Sequence, residues 1–218
     1  MNTENLKAFI RYGVDKTKSY DKIQLGGIGA CLLAGLGCLP AVSDLKNLFS
    51  AIGAAIIVLL TVPYFVFILK IPKDLTIKKR VVCDAVNSLY LILTSTISGA
   101  VWLSVSQVSI LFSVSFVPII MAFISALGCL VKVKRNHYIS KKNNPDLVNL
   151  AGFAAIGVFV GKKFYDFFSS VNANMTYDIL FLAIGYIAIA TIFAVMGTPS
   201  FLKMYYLKIL RRMDINID

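Results

Sequence analysis

The stretch that decides the fold is residues 77–133, which read IKKRVVCDAVNSLYLILTSTISGAVWLSVSQVSILFSVSFVPIIMAFISALGCLVKV. It opens on the basic cluster Lys78, Lys79 and Arg80 and then runs mostly apolar, with a short polar interruption at 104–107. About twenty helical residues cross the hydrocarbon core of a bilayer, so this length allows two spans and a tight turn. The stretch therefore predicts a transmembrane hairpin.

The first span of this hairpin is unusually polar for a helix in lipid. Side chains three and four positions apart share one face of a helix, so the polar residues form a stripe that avoids lipid. Such a stripe faces either other helices or a water-filled cavity, and we take it as a candidate intramembrane polar site. The polar stripe consists of Asp84, Asn87, Ser88, Thr94, Ser95 and Ser98.

The composition extends this conclusion to the whole chain. Of the 218 residues, 58% are hydrophobic and only 15% are charged, and the mean hydropathy is +0.77. Ordinary soluble domains carry about 25% charged residues. The apolar runs are continuous, whereas the strands of a membrane β-barrel alternate. We therefore expect an all-α, polytopic transmembrane helical bundle.

The apolar runs predict about six spans, with four or five as the alternatives. The expected domains are an amphipathic arm at 1–22, the bundle at 23–199 and a basic tail at 200–218 that lies along the inner surface as a second amphipathic helix. Pro63 and Pro118 predict kinks within the second and fourth spans. The spans are expected at about 23–42, 48–71, 80–102, 108–131, 147–171 and 179–196.

Three segments leave alternatives open. The arm carries Leu6, Phe9 and Ile10 at helical spacing, which fits a helix on the membrane surface and equally a helix packed on the protein itself. The glycines between 26 and 37 predict close helix packing, either within the chain, as we favour, or in a pore-lining or oligomer-forming helix. In the fifth span, Lys162 and Lys163 with Asp166 form either an intramembrane ion pair or, as we favour, an interfacial group.

The net charge of +11 falls mainly in the connections and the termini. Because cytoplasmic loops of membrane proteins are enriched in lysine and arginine, both termini are expected in the cytoplasm, and the location is expected to be a bacterial inner membrane. Membrane topology and anionic lipids account for this charge better than nucleic acid does. The residues expected to bind lipid or a soluble partner are Lys78, Lys79, Arg80, Lys132, Lys134 and Arg135.

Chemistry-bearing motifs are absent from the sequence. It contains no HExxH, no CxxC and no glycine-rich phosphate loop, and its single histidine, His137, lies in a basic connection without a sequence pattern for catalysis or metal binding. The four cysteines have neither metal-ligand spacing nor a disulfide pattern. We expect no enzymatic activity, no catalytic or metal site and no cofactor.

In size, hydropathy and a basic cytoplasmic face, the whole chain resembles the membrane subunit of two-gene bacterial anti-phage systems such as Kiwa. The resemblance implies a homo-oligomeric inner-membrane sensor that controls a cytoplasmic effector. A membrane immunity protein against a toxin or bacteriocin would have a similar layout. Besides a docking subunit and an immunity protein, the alternative function is that of a small ion or solute transporter or channel. It would use the polar stripe and the proline-interrupted spans.

Overall fold

The computed structural model describes residues 3–12, 20–43, 47–73, 75–105, 114–140 and 176–213. These residues are helical apart from a few positions at the helix ends, and no strand occurs among them. The helices are α1 (Thr3–Arg11), α2 (Tyr20–Gly37), α3 (Leu39–Ser43), α4 (Leu48–Leu69), α5 (Ile77–Val105), α6 (Val117–Lys134), α7 (His137–Ser140) and α8 (Thr176–Arg212).

Within the described ranges, five helical segments are long and apolar enough to cross a membrane. This confirms the expected all-helical architecture and is consistent with a multi-span protein. The two spans of the predicted hairpin correspond to α5 and α6, but α6 packs on α8 rather than along α5, and the connection between α5 and α6 lies outside the described residues. The predicted fifth span at 147–171 lies outside the described residues, so the count of six spans stays a prediction. The five segments are Ile23–Ala41, Leu48–Leu69, Ile77–Val105, Val114–Lys134 and Ile179–Arg212.

Helix α5 lies at the centre of the bundle and packs along α8, with α4 and α2 also against it. In its apolar window 44% of the residues are buried, compared with 11% in α6. Gly99 of α5 sits against Ile187 of α8, and Ser88 of α5 sits against Gly197, so the two helices run antiparallel. Small side chains let helix backbones approach closely, which explains why the polar helix is the central one.

The helix directions define two ends of the bundle. Ser50 at the start of α4 shares a hydrogen bond of 3.2 Å with Ser104 near the end of α5. Gln24 near the start of α2 donates to the Ile68 carbonyl near the end of α4, at 3.4 Å. The starts of α2 and α5 and the ends of α4, α6 and α8 therefore share one end, which we name the basic end.

The positions of Pro118 and Pro199 within the helices differ from those that the sequence predicted, whereas the position of Pro63 does not. Pro118 lies in the first turn of α6, where no intrahelical bond needs its missing N–H, so the predicted kink there is wrong. Pro63 does lie inside α4, as predicted. Pro199 lies inside α8, which continues without a break into the segment expected to be a separate tail helix.

The structure shows what compensates for Pro199. A proline removes the N–H that would bond to the carbonyl four residues earlier, here that of Val195. Ser125 of α6 donates its hydroxyl to this carbonyl at 2.9 Å. Membrane helices tolerate proline where a neighbouring hydroxyl satisfies the freed carbonyl, and this hydrogen bond joins α6 to α8.

Candidate functional site

The lysines and arginines of the described residues are segregated along the bundle. None of the described helices carries one at the end formed by the start of α4, the end of α5 and the start of α8. The charges instead follow the helix termini that meet at the basic end. They are Lys7, Arg11, Lys22, Lys70, Lys73, Lys78, Lys79, Arg80, Lys132, Lys134, Arg135, Lys203, Lys208, Arg211 and Arg212.

The basic end has a hydrophobic core of its own. The apolar face of α1, formed by Leu6, Phe9 and Ile10, is buried against side chains of α5, α6, α7 and α8. Of the two alternatives for the N-terminal arm, the structure therefore shows the helix packed on the protein. We name this assembly the platform: α1, residues 77–84 of α5, residues 130–135 at the end of α6, α7, and residues 200–212 of α8. The other buried core residues are Val81, Val133, Tyr138, Tyr206 and Leu210.

Asn5 fastens α1 to the turn between α6 and α7. Its amide nitrogen donates to the Val133 carbonyl at 2.6 Å, and its side-chain oxygen accepts from the Tyr138 amide at 3.1 Å. In the same turn Asn136 has a left-handed backbone with φ of 53°, a conformation that asparagine tolerates better than most residues. Burial raises the pKa of the Tyr138 phenol, so this side chain stays neutral in the platform core.

Lys203 is a buried cation inside the platform, with 7% of its side chain exposed. Its ammonium group donates to the Tyr12 carbonyl at the end of α1 and lies 5.7 Å from the centroid of the Phe9 ring. It also interacts electrostatically with Asp84 of α5. A cation at a helix C-terminus is favourable, so Lys203 ties α1 to α8.

Sequence reasoning missed Lys203 because it resembles the other cations of the C-terminal segment. The signal that could have identified it is its spacing from Tyr206 and Leu210, since positions i, i+3 and i+7 share one helix face. Asn5 was missed for a different reason. Its two partners lie 128 and 133 residues away, and no local pattern connects them.

The structure brings the two predicted basic groups to the same end. Lys78 and Lys79 are exposed there, and the Arg80 side chain is half-buried and donates from Nε to the Leu75 carbonyl at 3.1 Å. The second group, Lys132, Lys134 and Arg135, is also exposed. Three cations that the sequence analysis had not included as binding residues are exposed at the end of α8: Lys208, Arg211 and Arg212.

The polar stripe faces neighbouring helices along most of its length. Ser88 lies against Gly197 of α8, and Ser98 lies against Gly37 at the end of α2. Thr94 donates to the Tyr90 carbonyl of its own helix at 2.7 Å. Of the remaining predicted site residues, Ser95 is buried, and Asp84 and Asn87 are half-buried. Lys162, Lys163 and Asp166 lie outside the described residues.

A pair of stacked tyrosines joins α4 to α5 beside Pro63. The rings of Tyr64 and Tyr90 lie 3.7 Å apart and nearly parallel, at 4°. The Tyr64 hydroxyl donates to Asn87 at 2.5 Å, and the Tyr90 hydroxyl shares a hydrogen bond of 2.9 Å with Thr61. These bonds satisfy polar groups within the bundle, and they give Asn87 a structural role in helix association.

The described residues contain no cluster of histidine, cysteine and carboxylate side chains that could hold a metal ion. All four cysteines are free thiols. Comparison with known proteins gives no match: no family model fits the chain, and no curated protein or solved structure is significantly similar to it.

Proposed function

We propose that this chain is a non-enzymatic, multi-pass inner-membrane subunit whose basic end lies in the cytoplasm and docks a soluble acidic protein. In this proposal the protein is homo-oligomeric and serves as the membrane sensor of a bacterial anti-phage defence system. The observation that carries the docking function is the platform. Its cations are presented on a packed hydrophobic core rather than on separate loops.

The segregation of lysines and arginines supports an orientation in which the basic end lies in the cytoplasm. Lysines and arginines accumulate on the cytoplasmic side of membrane proteins, and the described cations all belong to one end of the bundle. Exposed cations on a fixed scaffold create a positive potential that steers an acidic protein towards the surface. This potential would also attract anionic lipids, which act as a second, less specific ligand of the same residues.

The packing of the polar stripe favours docking over transport. A permeation path needs polar side chains beside water, whereas the stripe residues Ser88 and Ser98 lie against glycines of neighbouring helices. The tyrosine pair is likewise hydrogen-bonded to groups of the bundle. An immunity protein against a toxin would use the same platform towards a different partner, so identification of the partner separates these two functions.

The decisive experiment is native mass spectrometry of the tagged protein purified from its own membranes in mild detergent. We expect an oligomer with a soluble protein that dissociates as salt rises, because exposed charge pairs are screened. Reversal of Lys78, Lys79, Lys134 and Arg135 to glutamate should release the partner, whereas Ser95→Ala should retain it.

The opposite pattern would contradict the proposal. Wild-type protein that purifies without a partner, together with flux through reconstituted vesicles that Ser95→Ala abolishes, would identify a transporter or channel. A partner that stays bound to the charge-reversed protein would show that Lys78, Lys79, Lys134 and Arg135 do not form the docking surface.

A further inference from the structure

The end of α6 presents two cations on one face of the helix. Lys132 and Arg135 are three positions apart, so they share a face, and both side chains are exposed. No carboxylate among the described residues pairs with either of them. The backbone N–H of Arg135 donates to the Val131 carbonyl at 3.0 Å, which fixes the position from which its side chain extends. We name Lys132 and Arg135 the cation pair.

The depth of the cation pair in the membrane follows from α4, which carries no charged residue between Leu48 and Leu69. At about 1.5 Å per residue, its 22 residues measure roughly 33 Å, close to the roughly 30 Å of a hydrocarbon core. The end of α4 at Leu69 therefore marks the boundary between hydrocarbon and headgroups. Ile71, just after α4, lies in one core cluster with Cys83 of α5, so the boundary reaches α5 at about residue 83.

The same boundary can be followed from α5 to α8 and α6. Ser88 of α5 lies against Gly197 of the antiparallel α8, so the boundary lies roughly one and a half turns past Gly197. This position is about two turns past Val195, whose carbonyl accepts the hydrogen bond from Ser125 of α6. Because α6 runs parallel to α8, the boundary reaches α6 about two turns past Ser125, at Lys132.

The phosphate groups of phospholipids lie at the depth of the cation pair. Arg135 is roughly 4.5 Å past Lys132 along the helix, and a headgroup layer measures roughly 5–7 Å per side. A lysine at the boundary extends its ammonium group towards the headgroups. An arginine guanidinium binds phosphate through two parallel N–H bonds. One phosphate can therefore contact both side chains.

The surface of α6 on the hydrocarbon side of the cation pair is suited to the acyl chain of the same lipid. Gly128 lies one turn before Lys132 on the same face, and a methyl group there would meet no atom within 4 Å. One turn further back, Ile124 is 54% exposed. The glycine thus leaves open space between larger exposed side chains, and we name this space the notch. An acyl chain that lies along α6 fills it.

We infer that the cation pair binds the phosphate of an anionic phospholipid whose acyl chain lies in the notch at Gly128. Two positive charges face one phosphate, so phosphatidylglycerol is favoured over phosphatidylcholine, which carries a cation of its own. This inference goes beyond the proposed docking function and does not depend on it, because α6 contacts lipid whether or not a soluble protein binds at the basic end.

The test is native mass spectrometry of the purified protein, titrated in detergent with phosphatidylglycerol or with phosphatidylcholine. Each cation near an anionic lipid contributes about a factor of five in affinity, so Lys132→Gln combined with Arg135→Gln should weaken phosphatidylglycerol binding about 30-fold. The matched control is Lys208→Gln combined with Arg211→Gln, an exposed pair of the same types and spacing. That pair lies roughly 9–14 Å past the boundary, so its removal should leave binding unchanged. Gly128→Leu, which fills the notch, should also weaken binding.

Equal losses in the two double variants would overturn the inference, because the lipid would then respond to total charge rather than to a site. A second measurement places a photoreactive benzoylphenylalanine at Ile124 in intact cells, where we expect crosslinks to phospholipid. Crosslinks to protein instead would overturn the inference, because this face of α6 would then be covered by another part of the chain or by a second copy. Specific phosphatidylglycerol binding by a protein that purifies without a soluble partner would support the inference and contradict the proposed docking function.

Discussion

At the scale of single residues, Lys203 has the most consequential environment at the basic end. Burying a lysine is unfavourable unless the charge is paired and hydrogen-bonded. Here the Tyr12 carbonyl, the Phe9 ring and the charge of Asp84 offset part of that cost. One side chain of α8 is thereby connected to both α1 and α5, so its removal affects three elements at once.

We predict that Lys203→Met lowers stability by about 1.5–3 kcal/mol, the typical value for a hydrogen bond to a charged group. The Tyr12 carbonyl loses its donor and Asp84 loses a neighbouring cation. The measurement is the thermal unfolding midpoint of the detergent-solubilised protein, with Lys208→Met as the matched control because Lys208 is exposed on the same helix. Equal midpoints for the two variants would show that Lys203 does not fasten α1.

At the scale of elements, α6 depends on a small number of contacts. Few of its residues are buried in the described structure, and the hydroxyl of Ser125 reaches the carbonyl that Pro199 leaves free. The proline thus creates a hydrogen-bond acceptor that the neighbouring helix uses. This dependence of one helix on a proline in another can be measured with a double-mutant cycle.

We expect Ser125→Ala to cost about 0.6 kcal/mol and at most about 1.7 kcal/mol, the average and the maximum found for hydrogen bonds between membrane helices. In a Pro199→Ala background the backbone N–H of residue 199 can bond to the Val195 carbonyl, so the same serine substitution should cost much less. Unfolding of the four proteins in mixed detergent micelles gives the coupling. Identical costs in both backgrounds would rule out the proposed compensation.

The contact between α5 and α8 gives a second prediction from two glycines on one helix. A methyl group at Gly197 would collide with the Ser88 side chain, whereas one at Gly185 would meet no atom within 4 Å. Gly197→Ala should therefore destabilise the protein by about 1–3 kcal/mol. Gly185→Ala should be neutral or slightly stabilising, because alanine is a better helix former. Unfolding midpoints measured side by side test this difference, and a destabilising Gly185→Ala would contradict it.

The helices differ in how much of their structure could be predicted from the sequence. Helical spacing identified the apolar face of α1, and apolar length identified the helices α5 and α6, because both are properties of neighbouring residues. That α6 packs on α8 rather than along α5 was not visible in the sequence. The continuity of α8 could not be predicted, since the hydroxyl that tolerates Pro199 comes from residue 125. The polar stripe was visible in the sequence, but the glycines that cover it lie in other helices.

At the scale of the whole molecule, the charge distribution is more uneven than the sequence alone suggested. The basic connections were expected on one side, and the structure adds that α1 and the end of α8 pack together with them. The predicted partner-binding residues thus belong to one platform, although they are separated by more than fifty residues in the sequence.

The orientation of this platform leads to the last prediction, since docking of a cytoplasmic protein requires the basic end to lie inside. Cysteines introduced at Lys134 and Arg212, both exposed at the basic end, should react with a membrane-impermeant maleimide only in inside-out vesicles. A cysteine at Leu48, exposed at the start of α4 on the opposite end, should react only in intact spheroplasts. Labelling of both ends from one side would mean that the described helices do not all cross the membrane. A reversed pattern would place the platform outside the cell and exclude a cytoplasmic partner.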